Sequence, residues 1–221
     1  MPSEIVNKNL EIAKFYYQAQ QYFRSIVLLC ETVATCVQDK GFAVTSWYSG
    51  KPLNIDNYNY ASNRGACLPR HFRVVFKPKK EELARTVTYA FFIWFFSEDP
   101  ESDASWVPSG FISKAQRKEP GDWQFWPCLN SIAEQVRPCL LSPRPEHALL
   151  SYSDPWPEKL KGNGIDELSS LNIVPFSLSA ISNSDDIAAL LGKVIPLMEL
   201  GKADELKADE DYFRRFLGVE F

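Results

Sequence analysis

The chain has 221 residues, of which 45% are hydrophobic and 24% are charged, an ordinary balance for a globular protein. Its net charge of −4 and pI of about 5.3 exclude a general attraction to nucleic acids or to anionic membranes. The charge is uneven, however, because residues 1–120 hold 15 Lys and Arg and 12 Asp and Glu, a net of +3, whereas residues 121–221 hold 9 and 16, a net of −7.

The cysteine content is odd in number and irregular in spacing. The five cysteines are Cys30, Cys36, Cys67, Cys128 and Cys139. The sequence has no signal-peptide pattern and no apolar run of about 20 residues that could cross a bilayer. We therefore expect a soluble, cytoplasmic protein with reduced thiols and no membrane partner.

A long amphipathic helix is predicted over residues 4–38, with Ser3 as its N-cap and Gly41 after its end. Its apolar residues recur in alternating steps of four and three, which is a heptad seam: Ile12, Tyr16, Ala19, Phe23, Ile26, Cys30, Val33 and Val37. A second apolar line, of Phe15, Tyr22, Leu29 and Cys36, lies beside it. At 1.5 Å per residue the helix would be about 50 Å long. It either packs across the rest of the protein or pairs with a second copy through the first five seam residues.

Four strands are predicted next, and their order indicates an antiparallel meander. They cover residues 42–48, 71–77, 86–96 and 106–113. The third is the densest apolar run of the chain, so we expect it to be the central strand, covered on both faces. A helix entered from Pro78 is the alternative for this run. Pro108 marks the fourth strand as an edge or an irregular segment.

The alternation of side chains assigns the two faces of these strands. In the third strand, one face carries Val87, Tyr89, Phe91, Ile93 and Phe95, and the other carries Thr86, Thr88, Ala90, Phe92, Trp94 and Phe96. In the second strand, one face carries Phe72, Val74 and Phe76, and the other carries His71, Arg73, Val75 and Lys77.

The rest of the chain is predicted to be mainly helical. A helix over residues 126–136 should end before Pro138, and a helix over residues 187–200 should begin at the capping residue Asn183 and kink or end early at Pro196. Residues 171–178 contain Pro175 and are predicted to be an edge strand or an extended arm. A last short helix should contain Tyr212, Phe213, Phe216 and Leu217.

These elements predict an α+β fold, with a long N-terminal helix packed on a mostly antiparallel sheet and a helical C-terminal tail. We interpret residues 1–221 as one domain, with a possible division after residue 120. No internal repeat is evident.

The strongest candidate binding surface is a basic cluster on and around the second strand. Its members are Arg64, Arg70, His71, Arg73, Lys77, Lys79, Lys80 and Arg85. The six from Arg70 to Lys80 could neutralise the phosphates of a nucleic acid, and Tyr58 or Tyr60 could stack on a base. The alternative is a solvated strand face, with lysines at its tip that discourage pairing between sheet edges.

Patterns typical of catalysis or of cofactor binding are missing. The two histidines, His71 and His147, belong to no spaced metal motif, and Gly162-Asn163-Gly164 is too short for a phosphate loop. We therefore predict no cofactor, no metal and no catalytic residue, although a distant Cys–His pair stays open. An acidic turn at residues 98–103 could hold Mg²⁺ together with substrate phosphates, but an ordinary solvated turn is the simpler interpretation.

The functional expectation follows from the long helix, the uneven charge and the missing catalytic pattern. We expect a non-catalytic protein–protein interaction or adaptor protein, either a homodimer formed through the N-terminal helix or a protein bound to another partner. The alternative is a protein that binds nucleic acid, or processes it with a metal, through residues 70–80. A third and weaker hypothesis is stacking of a small ligand on the abundant aromatic residues, for which a large aromatic core is the favoured explanation.

Overall fold

A computed structural model describes residues 2–46, 71–96, 107–121, 129–161 and 164–219. Several predictions fall outside these residues: the loop with Tyr58 and Tyr60, the acidic turn at residues 98–103, Gly162 and Asn163, and the side chains of Arg64, Arg70, Cys67 and Cys128.

The described part of the chain alternates between helices and strands. The helices are α1 (Pro2–Asp39), α2 (Glu81–Ala84), α3 (Leu129–Leu141), α4 (Ser184–Glu199) and α5 (Glu210–Tyr212), which continues as a π-helical turn over Phe213–Leu217. The strands are β1 (Phe42–Ser46), β2 (His71–Pro78), β3 (Val87–Phe96), β4 (Val107–Arg117), β5 (Leu150–Ser153) and β6 (Leu168–Phe176). Short 3-10 turns cover Pro145–His147, Glu158–Leu160, Ile165–Glu167, Leu178–Ala180 and Ala203–Ala208.

Within the described residues, the strands form one six-stranded sheet in the order β1-β2-β3-β4-β6-β5. Every neighbouring pair is antiparallel, and the first four strands form the predicted meander. The long helix precedes the sheet and the helical tail follows it, so the predicted α+β fold is confirmed.

β3 lies between two hydrophobic cores, and its side chains alternate between them. Tyr89, Phe91 and Ile93 belong to the core that contains the buried residues of α1 and α4. Phe92 and Trp94 belong to a second core with the buried residues of α3. The run from residue 86 is therefore a central strand covered on both faces, as predicted, and the helical alternative is wrong.

The C-terminal part of α1 packs into the first core. Ile26, Cys30, Val33 and Val37 are all buried there, at 2% exposure or less. The helix ends at Asp39, and Gly41 shortly after it has a φ of +88°, a backbone conformation that glycine adopts at little cost. The predicted seam thus forms the contact between α1 and the sheet over its second half.

Two proline predictions are wrong, since β4 and β6 are internal strands. β4 pairs with β3 on one side and with β6 on the other, and β6 also pairs with β5. However, the pairing of β4 with β6 stops at Gly110, so Pro108 lies beyond it, and β5 reaches only to Ile173, so it does not reach Pro175. Each proline therefore lies at a position where its strand pairs with only one described strand. Its missing N–H breaks no backbone hydrogen bond to a second strand there.

The helices also tolerate proline more than the sequence suggests. α3 continues through Pro138 to Leu141, so the predicted stop at this proline is wrong. α4 continues through Pro196 to Glu199, so of the two alternatives predicted there the early end is wrong. Burial of the flanking residues Val136 and Cys139 in α3 offsets the lost backbone hydrogen bond. The start of α4 is as predicted, because the Asn183 side chain accepts hydrogen bonds from the first-turn N–H groups.

Candidate functional site

The long helix α1 carries an unusual share of the exposed apolar side chains. Six large hydrophobic side chains are exposed in the described part of the chain, and three of them lie on α1. They are Tyr17, Tyr22 and Leu28, with exposed fractions of 63%, 44% and 54%. Tyr17 and Leu28 share the outward side of the helix, about three turns apart, whereas Tyr22 lies closer to the core-facing side.

A groove of about 340 Å³ lies beside this surface, between α1 and residues 178–184. Its apolar lining comes from Leu28 and Leu29 of α1 and from Leu178 and Ile181 of the facing segment. Its polar lining includes hydroxyl and amide side chains, those of Ser25, Thr32, Ser182, Asn183 and Ser184. An apolar lining with polar groups around it suits a side chain or ligand that is apolar with a polar tip.

The start of α4 forms one wall of the groove, and two N–H groups of its first turn already donate hydrogen bonds within the chain. The Asn183 side-chain oxygen accepts from the N–H groups of Asp185, at 2.8 Å, and of Asp186, at 3.1 Å. The Asp186 carboxylate accepts in turn from the N–H of Ser182, at 3.0 Å, and this bond is the main reason why the pKa of Asp186 lies below its ordinary value. The wall is therefore acidic and capped, which disfavours a phosphate at this helix end.

Tyr22 lies at the junction of the exposed surface and the groove. Partial burial raises the pKa of its phenol above the ordinary tyrosine value. The hydroxyl of Tyr22 is therefore neutral at physiological pH and keeps its ability to donate a hydrogen bond.

The predicted self-association residues divide into two groups. Ile26 is buried in the first core, so α1 uses it to pack against its own sheet. Ile12, Tyr16, Ala19 and Phe23 lie on α1, but their side chains are outside the described part of the structure.

The basic cluster of β2 is only partly assembled. Arg73 and Lys77 are half-buried, and they lie on the face of β2 that also carries Val75, as predicted, while Lys79 and Lys80 are exposed just after the strand. His71 begins β2, but its side chain is outside the described part of the structure, as is Arg70.

Acidic side chains lie directly beside the exposed lysines of this cluster. The short helix α2 adds Glu81 and Glu82, both exposed, and Glu81 forms an ion pair with Arg85 at 2.9 Å. The surface beyond β2 therefore carries charges of both signs, which weakens its attraction for phosphates compared with the cluster that the sequence suggests.

Two further polar side chains away from the groove make well-defined hydrogen bonds to carbonyl oxygens. Lys114 donates to the Met198 carbonyl oxygen at 2.6 Å, and burial is the main cause that lowers its pKa. This bond joins β4 to the last turn of α4, where a positive charge stabilises the helix. Nδ1 of His147 lies 2.9 Å from the Ser142 carbonyl oxygen and therefore donates to it.

Metal-ligating clusters are not found among the described residues, where no three His, Cys, Asp or Glu side chains could hold an ion together. The described cysteines, Cys30, Cys36 and Cys139, are free thiols. Burial, with a smaller contribution from Glu31, raises the pKa of Cys30 to about 12, which makes it a poor nucleophile.

Comparisons with known proteins add no functional information. No family model, no curated protein and no solved structure matches this chain. In the part of the chain that the structure describes, no helix combines the length and the hydropathy that crossing a membrane requires.

Tyr17 and Leu28 are the surface residues that the sequence did not single out. Both lie outside the predicted seam and outside the line beside it, among polar neighbours such as Gln18, Gln21 and Arg24. The signal that could have indicated them is their helical spacing, since eleven residues separate them and eleven residues are close to three full turns.

Proposed function

We propose that the chain is a non-catalytic interaction protein that associates with a second copy of itself through α1. The observation that carries this proposal is the exposure of Tyr17 and Leu28 on the side of α1 that is opposite to the side packed into the core. Tyr22 is also exposed, but it lies closer to the core-facing side. Water contact with such side chains is unfavourable, and contact with another apolar surface removes about 25 cal/mol of that cost per Å².

The length of α1 supports the same function. The helix has 38 residues and is therefore about 57 Å long. Its buried side chains, among those described, begin at Ile26 and end at Val37. The residues before Ile26 whose exposure is described lie between Lys14 and Ser25 and are all exposed, so this stretch of the helix is accessible to a partner.

Light scattering after size-exclusion chromatography, over a range of protein concentrations, tests this proposal. We expect a mass that rises from 25.2 kDa toward twice that value as the concentration increases. Leu28→Glu should return the protein to a monomer, whereas Leu200→Glu should not, although Leu200 is also exposed, at 71%. A monomer at every concentration would refute self-association, and native mass spectrometry of the protein from its own cells would show whether a different protein occupies α1.

A cytoplasmic location is part of the same proposal. The free thiols of Cys30, Cys36 and Cys139 support a reducing compartment. Fluorescence microscopy of the tagged protein in its own cells tests the location directly, and a signal confined to another compartment would refute it.

Nucleic-acid binding through β2 is the second candidate function. It is supported by the shared face of Arg73 and Lys77 and by the exposure of Lys79 and Lys80. Binding of a single-stranded oligonucleotide should then weaken steeply with salt and be lost in Lys79→Glu/Lys80→Glu. Lys202→Glu, at an exposed lysine of the C-terminal part, is the matched control. Absent or salt-independent binding would exclude this function.

A further inference from the structure

The side of α1 that faces away from the core has a heptad pattern of its own. Its members follow each other in alternating steps of three and four and are Lys14, Tyr17, Gln21, Arg24, Leu28 and Glu31, here named the outer stripe. All of them are exposed except Glu31, which is half-buried. The buried residues Cys30 and Val33 lie on the opposite side of the helix.

The order of side chains along the outer stripe is self-complementary. When two copies of α1 run antiparallel about a two-fold axis between residues 22 and 23, Tyr17 faces Leu28 of the second copy. In the same register Lys14 faces Glu31, and Gln21 faces Arg24. An apolar pair and an ion pair therefore form, each of them twice because of the symmetry.

Resting on the self-association proposed above, we propose that two copies of this chain dimerise antiparallel through the outer stripe of α1. The charges select this direction. A parallel pair in register would place Lys14 against Lys14 and Glu31 against Glu31, and like charges at such positions oppose pairing. The antiparallel pair replaces both repulsions with attractions.

The groove supports this arrangement because Leu28 lies in the outer stripe and also lines the groove. Tyr17 of the second copy, which faces Leu28, therefore reaches the mouth of the groove. A tyrosine ring with a hydroxyl tip matches an apolar lining bordered by Ser25 and Thr32.

The size of the contact indicates a reversible dimer. The outer stripe extends over about 26 Å of helix and includes two large apolar side chains per copy. Interfaces of this extent fall at the small end of specific protein contacts, and they form and dissociate with concentration. Salt should weaken the dimer, because its ion pairs lie at the surface.

Charge reversal at the ends of the outer stripe tests the proposal. Sedimentation at low salt should show that Lys14→Glu and Glu31→Lys each raise the dimer dissociation constant on the order of tenfold, since both ion pairs turn repulsive. The double variant Lys14→Glu/Glu31→Lys should regain the affinity of the original chain. An equal mixture of the two single variants should form a heterodimer that is tighter than either homodimer.

Each outcome separates this proposal from the function on which it rests. If a dimer persists and the single variants leave its affinity unchanged, the antiparallel register is refuted while self-association stands. If the chain is a monomer throughout, both are refuted. Circular dichroism controls for folding, and if Glu31→Lys fails to fold, Lys14→Glu, at an exposed side chain, gives the same decision alone.

Discussion

The hydroxyl of Tyr212 donates a hydrogen bond to the carbonyl oxygen of Pro175. Tyr212 lies in α5 and is fully buried, and Pro175 lies in β6 beyond the last residue that β5 pairs with. Burial is the main cause that raises the pKa of Tyr212 well above its ordinary value, so the hydroxyl stays protonated and remains a donor. The C-terminal helix thus supplies a partner to β6 where the neighbouring strand has ended.

Removing this hydroxyl should destabilise the protein. We expect Tyr212→Phe to lower the free energy of unfolding by about 1–3 kcal/mol, because the buried carbonyl group loses its donor. Urea unfolding followed by tryptophan fluorescence measures the change. Tyr152→Phe, at a half-buried tyrosine of β5, is the control and should change stability by less than about 0.5 kcal/mol. Equal effects of the two changes would contradict the role given to Tyr212.

Two glycines should respond to alanine in opposite directions. A Cβ atom at Gly110 of β4 would overlap the ring of Phe176 on β6, so Gly110→Ala should cost about 1–3 kcal/mol. At Gly192 in α4 the nearest atom is the flexible Lys40 ammonium nitrogen, at 3.5 Å, and alanine there should stabilise by about 0.5–1 kcal/mol. Thermal unfolding measures both changes. In the double variant Gly110→Ala/Phe176→Leu, the smaller side chain should recover part of the stability that Gly110→Ala alone loses. A neutral Gly110→Ala would show that the strands separate to admit the methyl group.

Acid should weaken the contact between α4 and α5. Lys193 donates to Asp209 at 2.7 Å and to Asp211 at 3.0 Å, and the latter bond is the main cause that lowers the pKa of Asp211 below 3.8. A carboxylate with a lowered pKa in the folded state stabilises the fold above its ordinary pKa, and this stability is lost as the pH falls through the folded-state pKa.

In Asp211→Asn, the free energy of unfolding should therefore fall less steeply as the pH drops below 3.8. At neutral pH the variant should lose only a little stability, because the ion pair with Lys193 is partly exposed. Unfolding by urea at a series of pH values measures this. Lys193→Met should make the same fall in stability less steep. The double variant should lose less stability than the two single variants combined, because both changes remove the same ion pair. An unchanged acid slope in Asp211→Asn would contradict the assignment.

Thiol reactivity should follow burial along the chain. The pKa of Cys30 is raised to about 12 and that of Cys139 to about 11, in both cases mainly by burial. Iodoacetamide at pH 8 should therefore leave both unmodified in the native protein and modify them in urea, as read by peptide mass spectrometry. Cys36 is half-buried and should react at an intermediate rate. Rapid native alkylation of Cys30 would show that α1 separates from the sheet.

The sequence predicted best those elements in which the buried side chains recur every two to four residues. In β3, successive side chains point to opposite faces, so the run from Ala90 onward, which is apolar at every position, already implies a core on each side. The seam from Ile26 to Val37 is equally direct, because steps of three and four place those residues on one side of a helix. Asn183, followed by two aspartates, predicted the start of α4 for a similarly local reason.

Long-range pairing was not readable from the sequence. Whether Pro108 and Pro175 mark edge strands depends on where β5 and β6 end against their neighbours, and β5 has only four residues. Pairs such as Ile112 with Val174 join residues far apart in the chain, and no local pattern specifies them. The stop predicted at Pro138 of α3 failed for a related reason, since packing of the helix outweighs the loss of one backbone hydrogen bond.

By itself, the sequence determined the α+β class, the central aromatic strand and the core-facing side of α1, because alternation and helical spacing are local properties of the chain. The tertiary structure decided which surfaces remain exposed. Tyr17 and Leu28 resemble scattered surface residues in the sequence, and only the packed fold shows that both are exposed and that Leu28 lines a groove formed with residues 178–184. Exposure depends on every element that packs nearby, so it is settled only when the whole chain is folded.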